Sequence, residues 1–177
     1  MIEPFEGENP DIQADCWIHP SAVIIGDVTI GSQSNIWPLC VIRGDVNSIS
    51  IGERTNIQDG SVLHVTSKRE DNPGAALVIG DEVTVGHKVM LHACTIGNHC
   101  LIGMGTIIMD NTVVEDNVIV GAGSLVPEKK RLESKHLYMG SPAKKIRPLS
   151  EQELSWLKRS AAHYVKLASR HQDPASS

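Results

Sequence analysis

The chain has 177 residues and a formal net charge of −5, a size that suits one domain with a substantial buried core. Aromatic residues make up only 3% of the sequence, so a thick aromatic core is not expected. The acidic balance, without a basic stripe interleaved with aromatics, disfavours nucleic-acid binding. The first residues lack the basic and apolar regions of a signal peptide, and no run of about 18 apolar residues suggests a membrane span.

The four cysteines predict a reducing compartment. They are Cys16, Cys40, Cys94 and Cys100, and no two of them form a C-x-x-C pair. This spacing indicates neither a disulfide framework nor a cysteine metal site, so a cytoplasmic protein is expected. Each cysteine is interpreted as a small buried apolar residue.

A six-residue repeat of aliphatic residues dominates the chain. Isoleucine, leucine or valine occurs at positions 18, 24, 30, 36, 42, 51, 57, 63, 79, 85, 91, 96, 102, 108, 114, 120 and 126. Most steps are six residues, and the exceptions are nine, sixteen and five. Hexapeptide periodicity of this kind predicts an all-β fold, the parallel β-helix, in which each unit buries its aliphatic residue between stacked coils.

The repeat divides the chain into parts. Residues 1–17 are interpreted as an irregular lead-in and residues 127–149 as a segment that leaves the repeat, so the β-helix domain is predicted over 1–149. Residues 66–75 are charged and contain a Pro-Gly turn signal, which predicts a loop that leaves the stack intact.

A C-terminal α-helix is predicted over residues 150–171. Ser150 and Glu153 form an S-x-x-E capping box at its start. An apolar stripe follows at helical spacing, formed by Leu154, Leu157, Ala161, Val165 and Ala168. This stripe is expected to pack on the β-helix or on a neighbouring chain, and residues 172–177 are expected to be disordered.

The register of the repeat predicts that three histidines share a metal ion between chains. Three units make one coil, so His64 and His92 follow stacked aliphatic residues on successive coils, about 4.8 Å apart. His87 lies on another edge, above Asp59, and five extended residues span about 16 Å. His87 is therefore expected to reach the histidine pair of a neighbouring chain, and a cyclic homotrimer closes this contact three times.

Three neutral histidines with an open fourth position are typical of a catalytic zinc site rather than a closed structural one. Zinc lowers the pKa of its bound water to about 7, which generates hydroxide at neutral pH. The remaining histidines show no such relation and are interpreted as ordinary polar residues: His19, His99, His136, His163 and His171.

These segments resemble the gamma-class carbonic anhydrase-like family of trimeric, left-handed β-helix proteins. The resemblance rests on residues 41–45 (VIRGD), 56–60 (NIQDG), 62–64 (VLH) and 85–92 (VGHKVMLH), and it extends over nearly the whole chain. It implies a left-handed winding, and zinc or iron(II) bound by His64 and His92 of one subunit and His87 of the next. It also implies reversible hydration of CO2 to bicarbonate by metal-bound hydroxide at the trimer interface.

The resemblance implies roles for five further residues. Arg43 and Asp45 would form an ion pair between subunits near the metal, where assembly is the competing role. Gln58 resembles the residue that orients the attacking hydroxide, and Asp59 would position that group or nearby polar contacts. Tyr164, on the terminal helix, is either an active-site residue or a packing residue.

Two departures from the family keep other functions open. The acidic loop that supplies a proton-shuttling glutamate is absent after Asp45, and the family's active-site asparagine has no clear match near Tyr164. Residues 140–144 (GSPAK) resemble a segment of hexapeptide-repeat acyltransferases. A coenzyme A-linked acyltransferase or thioesterase, or a catalytically silent metal-binding trimer, are therefore alternatives.

Overall fold

The computed structural model describes residues 1–172, which form a parallel β-helix of short strands followed by one α-helix. The elements are β1 Ile2–Glu3, β2 Asp11–Ile12, β3 Trp17–Ile18, β4 Val23–Ile30, β5 Asn35–Ile36, β6 Val41–Ile51, β7 Asn56–Ile57, β8 Val62–His64, β9 Leu77–Ile79, β10 Thr84–Val85, β11 Met90–His92, β12 Thr95–Ile96, β13 Leu101–Ile102, β14 Ile107–Ile108, β15 Val113–Val114, β16 Ile119–Val120, β17 Leu125–Val126, β18 Arg131–Leu132, β19 His136–Gly140, β20 Ala143–Pro148 and α1 Glu151–Gln172.

The strands stack into three faces. The histidine face contains the first halves of β4 and β6 and then β8, β11, β14 and β17. The helix face, on which α1 packs, contains β3, β5, β7, β10, β13, β16 and β19. The outer face contains the second halves of β4 and β6 and then β9, β12, β15 and β18. The two long strands β4 and β6 each continue around a corner of the coil, so one hydrogen-bonded sheet covers two faces.

The repeat register predicted from the sequence is confirmed by the strand pairing. Leu63 pairs with Leu91 on the histidine face, and Ile57 pairs with Val85 on the helix face. Of the seventeen repeat aliphatics, sixteen are buried in the core, and Ile18 in the first complete coil is partly buried. The core is therefore a narrow column of branched side chains.

The coil begins earlier and ends later than the sequence repeat indicated. Ile12, assigned to the irregular lead-in, pairs in parallel with Ile30. Leu132 and Tyr138, assigned to a segment outside the repeat, lie six and twelve residues after Val126 and are buried in the same core. Tyr138 replaces the expected aliphatic residue because its ring fills the end of the column while its hydroxyl accepts a hydrogen bond from the Glu133 amide at 2.9 Å.

The loop at residues 66–75 leaves the coil without breaking the stack, as predicted. Antiparallel bridges pair Thr66 with Ala75 and Arg69 with Asn72. The Asn47 side chain donates from Nδ2 to the carbonyl of Thr66 at 3.1 Å and to that of Pro73 at 3.2 Å. Because Asn47 is buried on β6, the base of the loop is held against the coil.

The C-terminal helix begins at the predicted capping box. The Glu153 amide donates to Ser150 Oγ at 3.3 Å, and the Ser150 amide donates to Glu153 Oε2 at 2.8 Å. Three residues of the predicted stripe are buried against the coil: Leu157, Ala161 and Ala168. Gln172 is the last helical residue rather than a disordered one, and residues 173–177 lie outside the described part of the chain.

The cysteines are unpaired, as the sequence predicted. Cys40, Cys94 and Cys100 are buried, and Cys16 is partly buried. Burial raises the pKa of Cys40 to about 11 and that of Cys100 to about 12, so these thiols stay protonated and unreactive at neutral pH.

Candidate metal centre

His64 and His92 meet on the histidine face. They are register partners at the ends of β8 and β11. His64 Nδ1 and His92 Nε2 lie 3.2 Å apart, and the ring centroids are 5.2 Å apart. The vertical pairing that the repeat predicted is therefore present, and the two rings direct one nitrogen each toward a common point.

The second nitrogen of each ring faces a carboxylate. His64 Nε2 lies 3.1 Å from Asp45 Oδ1, and His92 Nδ1 lies 2.6 Å from Asp110 Oδ1. An ionised carboxylate only accepts hydrogen bonds, so each neutral ring carries its proton on the nitrogen that faces the carboxylate. Both facing nitrogens, His64 Nδ1 and His92 Nε2, then present lone pairs to one another with no proton between them.

This arrangement fits a metal ion. Two imidazole nitrogens on a tetrahedral zinc, each at about 2.1 Å, are separated by about 3.4 Å, close to the distance between the two facing nitrogens. Carboxylates that fix the outer nitrogen are the usual support of metal-bound histidine. The donor chemistry and the spacing of His64 and His92 therefore suit zinc or iron(II).

The third histidine occupies a corner at the other end of the same coil. His87 precedes β11, whereas His92 ends it. His87 Nδ1 lies 2.9 Å from Asp59 Oδ2, which leaves Nε2 free, and both side chains are nearly half exposed. Within residues 1–172, no three side chains of the metal-ligating type converge on one point. The His64–His92 pair and His87 of one chain therefore stay apart, as the sequence predicted.

Gln58 and Tyr164 accompany His87 rather than the histidine pair. Gln58 is buried beside the corner, and its Nε2 donates to Asn56 Oδ1 at 2.9 Å. With residues of α1 and of β13 and β16, Gln58, His87 and Tyr164 line a mostly apolar cavity of about 360 Å³. Burial raises the pKa of Tyr164, and the negative charge of Asp59 raises it further.

Tyr164 also has the packing role that the sequence left open. Its ring meets Trp37 edge-on, with centroids 5.6 Å apart. Trp37 in turn contacts Trp17 and His171 at 4.7 and 5.3 Å. This aromatic cluster joins α1 to the first coils of the helix face.

Arg43 and Asp45 pair within one chain, whereas the resemblance implies a pair between subunits. Arg43 Nη1 lies 2.5 Å from Asp45 Oδ2, because residues two apart on β6 share a face. Gly44 between them is required by close stacking, since a Cβ there would lie 2.3 Å from the carbonyl oxygen of Asp27. Asp45 thus connects Arg43 to His64.

The charges of the carboxylates follow from their contacts. Burial would raise the pKa of Asp45, but hydrogen bonds from Arg43 and His64 outweigh it and lower the pKa. Burial would also raise the pKa of Asp110, but hydrogen bonds from Thr66 and His92 outweigh it and lower the pKa. Burial lowers the pKa of His64, against the hydrogen bond with Asp45. Ionised carboxylates therefore lie beside both rings, and the lowered pKa of His64 favours its neutral form.

Sequence reasoning missed Asp110 and Thr66. Asp110 follows β14, one coil above His92, and the Thr66 hydroxyl donates to its second carboxylate oxygen. The register contained the signal for Asp110, because Ile108 stacks on Leu91 and places the residues after it beside His92. Thr66 could not be found this way, because it belongs to the inserted loop.

The other histidines lie elsewhere, as expected. His19 contacts Ser21, His99 lies near Glu82, and His136 contacts the carbonyl of Ser134. His163 and His171 are on α1.

Comparisons with known proteins identify the family to which the chain belongs. A family model described as bacterial transferase hexapeptide (six repeats) matches residues 9–44 and 93–128. The chain is 56% identical over 174 residues to Protein YrdA of Escherichia coli, a match that covers 98% of this chain and 95% of that protein. It is 43% identical over 164 residues to the mitochondrial Gamma carbonic anhydrase 2 of Arabidopsis thaliana, covering 93% of this chain and 59% of that protein. The chain belongs to the gamma-class carbonic anhydrase-like family of hexapeptide-repeat proteins.

Solved structures show the same fold over nearly the whole chain. A hexapeptide transferase family protein from Anaplasma phagocytophilum is 42% identical with a TM-score of 0.88, covering 95% of this chain and 96% of that one. A putative acetyltransferase from Bacillus cereus is 39% identical with a TM-score of 0.91, covering 96% and 95%. The left-handed β-helix that the resemblance implied is thus confirmed. Since relatives are named both carbonic anhydrase and transferase, family membership does not itself assign the reaction.

No helix within residues 1–172 has the length and apolar character needed to cross a membrane.

Proposed function

We propose that this protein is a homotrimeric, metal-dependent enzyme that catalyses the reversible hydration of CO2 to bicarbonate. The observation that carries the proposal is that each of the three histidines has one ring nitrogen fixed by its own carboxylate. Asp45, Asp110 and Asp59 serve His64, His92 and His87 in this way. Three oriented imidazoles with their other nitrogens free are the ligand set of a catalytic zinc site.

The separation of the two histidine groups supports a site shared between chains. His87 and His92 lie at opposite ends of β11, so the pair of one chain and His87 of the next are complementary halves. Members of hexapeptide-repeat families are typically trimers. A cyclic trimer joins the halves head to tail and makes three equivalent sites.

The surface between the two half-sites supports the same assembly. Outward-facing apolar residues form a continuous ladder on the histidine face: Val41, Val62, Met90, Ile107 and Leu125. Met90 and Ile107 are 46% and 41% exposed in the single chain, and Met104 at the neighbouring corner is 58% exposed. An apolar stripe of this length is typical of a surface that a partner covers.

The residues have separable roles in the proposed reaction. His64 and His92 of one chain and His87 of the next would hold zinc or iron(II). The bound ion would supply Lewis-acid activation of water at neutral pH. Gln58 orients the attacking oxygen through its amide, Asp59 orients His87, and the Arg43–Asp45 pair holds His64. Tyr164 closes the cavity beside Gln58.

Proton export is the demanding step for this chain. β6 continues through residues 45–51 as a strand, with no acidic loop after Asp45. The proposed route for protons released at the site is direct exchange with solvent buffer. We expect the turnover number to rise with buffer concentration over a wide range.

Stopped-flow CO2 hydration tests the proposal. The trimer is loaded in parallel with zinc and, anaerobically, with iron(II), and metal content is measured in each sample. The rate is expected to scale with occupancy, and His92→Ala is expected to lose both metal and activity. His136→Ala, at a histidine in the last coil, is the control and should retain both. Full metal occupancy with no CO2 hydration rate above the buffer background would contradict the proposed reaction.

A second candidate function is acyl transfer or thioester hydrolysis with coenzyme A compounds. The observation in its favour is the exposed His87–Asp59 pair beside an apolar cavity, which suits a general base next to an acyl chain. Turnover of acetyl-coenzyme A that survives His92→Ala but not His87→Ala would favour it. A metal-bearing trimer inactive in both assays would favour a silent metal-binding protein.

A further inference from the structure

A line of hydrogen bonds connects Gln58 to helix α1 across the helix face. Gln58 Nε2 donates to Asn56 Oδ1 at 2.9 Å, and Asn56 Nδ2 donates to Thr84 Oγ1 at 3.1 Å. Thr84 Oγ1 lies 3.1 Å from Ser160 Oγ on the helix. Gln58, Asn56 and Thr84 are each at most 4% exposed, so these bonds are shielded from water.

A backbone carbonyl fixes the direction of this line. Asn56 Nδ2 also donates to the carbonyl oxygen of Val83 at 3.3 Å. A carbonyl only accepts, so the Asn56 amide cannot be reversed, and its Oδ1 must receive an N–H from Gln58. Thr84 Oγ1 accepts from Asn56, and either hydroxyl of the Thr84–Ser160 pair can donate to the other.

The consequence for Gln58 is a defined orientation of its amide. With Nε2 turned to Asn56, the Oε1 atom points away from the line. Among residues 1–172, no group donates a hydrogen bond to this oxygen, and the oxygen is not fully buried. Gln58 lines the cavity that His87 also lines. Oε1 is therefore the atom of this amide that remains to accept a hydrogen bond from a group in the cavity. Successive donation along a buried line also polarises each member and strengthens its acceptor oxygen.

We propose that Thr84 and Ser160 are positioning residues that hold Gln58 as a hydrogen-bond acceptor at the site. The group that Gln58 contacts must then be a donor, such as the O–H of the attacking oxygen. Helix α1 becomes part of the site through Ser160, 76 positions from Thr84 in sequence. The kinetic consequence rests on the proposed function, whereas the orientation of Gln58 does not.

A packing role alone makes a different prediction. If Thr84 and Ser160 only satisfied each other beneath the helix, their loss would lower stability and leave the Gln58 amide unchanged. Thr84→Val keeps the shape of the side chain and removes the hydroxyl, and Thr84→Ser restores the hydroxyl. Ser160→Ala removes the last member without touching the coil. Ser169→Ala is the matched control, because Ser169 is exposed and bonds only its own helix at Lys166.

The test combines NMR of the glutamine side chains with kinetics on the full chain. Selective ¹⁵N-glutamine labelling resolves the side-chain amides, and the loss of one resonance in Gln58→Glu assigns Gln58. Thr84→Val is expected to shift this resonance and speed its hydrogen exchange, with a smaller change in Ser160→Ala. Thr84→Ser and Ser169→Ala should leave it in place. In metal-loaded enzyme, kcat for CO2 hydration should fall about threefold to tenfold in Thr84→Val, with KM and metal content unchanged.

Two outcomes are decisive. An unchanged Gln58 resonance in both Thr84→Val and Ser160→Ala overturns the positioning role, whether or not the protein hydrates CO2. If the variants shift the Gln58 resonance but the wild-type protein does not hydrate CO2, the positioning role is supported and only the proposed reaction is contradicted.

Discussion

His64 Nδ1 and His92 Nε2 face each other at 3.2 Å, and in the neutral tautomers that the adjacent carboxylates favour neither nitrogen carries a proton. The carboxylates of Asp45 and Asp110 hold the ring protons on the opposite sides. Two lone pairs held this close repel each other unless a cation lies between them. In the proposed metal site, His64 and His92 would therefore already be arranged in the single chain as one half of the ligand set.

Asp110 should control metal affinity without binding the metal. Asp110→Asn keeps the shape of the side chain but removes the charge that orients His92, so the metal dissociation constant should rise about 10- to 100-fold. Competition with a chromogenic chelator measures it. Asp71→Asn, an exposed carboxylate on the 66–75 loop, is the control. Equal affinities for the two variants would contradict the role of Asp110.

Mixed trimers should regain metal sites that neither parent has. His87→Ala chains keep the histidine pair, and His92→Ala chains keep His87. Refolded together, every mixed trimer regains one site, so about one quarter of all sites should bind metal in an equal mixture. Metal content after gel filtration measures this. A site built within one chain would show no recovery on mixing.

Met90→Lys should dissociate the assembly. Met90 lies in the apolar ladder, and a lysine there must bury its charge when chains associate. Sedimentation should show the 19.2 kDa chain mass instead of three times that value. Val78→Lys is the matched control, since Val78 is 41% exposed on the outer face against 46% for Met90. Dissociation by both variants, or by neither, would contradict an interface on the histidine face.

Glu153 should make the attachment of α1 sensitive to acid. Hydrogen bonds from Arg147 and then from the Ser150 amide lower the pKa of Glu153 from 4.5 to about 2. A lowered folded-state pKa gives stability that is complete above about pH 4.5 and is lost as the pH falls through about 2. Glu153→Gln should lower Tm at pH 7 by about 2–4 °C and flatten its decline over this window.

Glu151→Gln, in the same helical turn, is the control for the Glu153 experiment. Circular dichroism against temperature at each pH gives the comparison. Parallel curves for wild type and Glu153→Gln would show that the Arg147 contact does not stabilise the helix.

Much of the site could be predicted because the coil converts sequence spacing into position. The six-residue period placed His64 beneath His92 and His87 beside Asp59, and both relations are present in the structure. The capping box at Ser150 and Glu153 was predictable for a different reason, because it is a local sequence pattern. The ends of the coil were missed although Ile12 and Leu132 continue the six-residue spacing, and only Tyr138 departs from the aliphatic pattern.

Tertiary structure alone decided how the histidines are oriented. Which ring nitrogen faces a carboxylate depends on side-chain torsions at the corners, where Asp110 and Thr66 meet across 44 positions of sequence. The bond between Thr84 and Ser160 likewise exists only because α1 lies on the helix face. The period of a repeat fixes the height and face of each residue, whereas the direction of a side chain is set by the neighbours that folding brings to it.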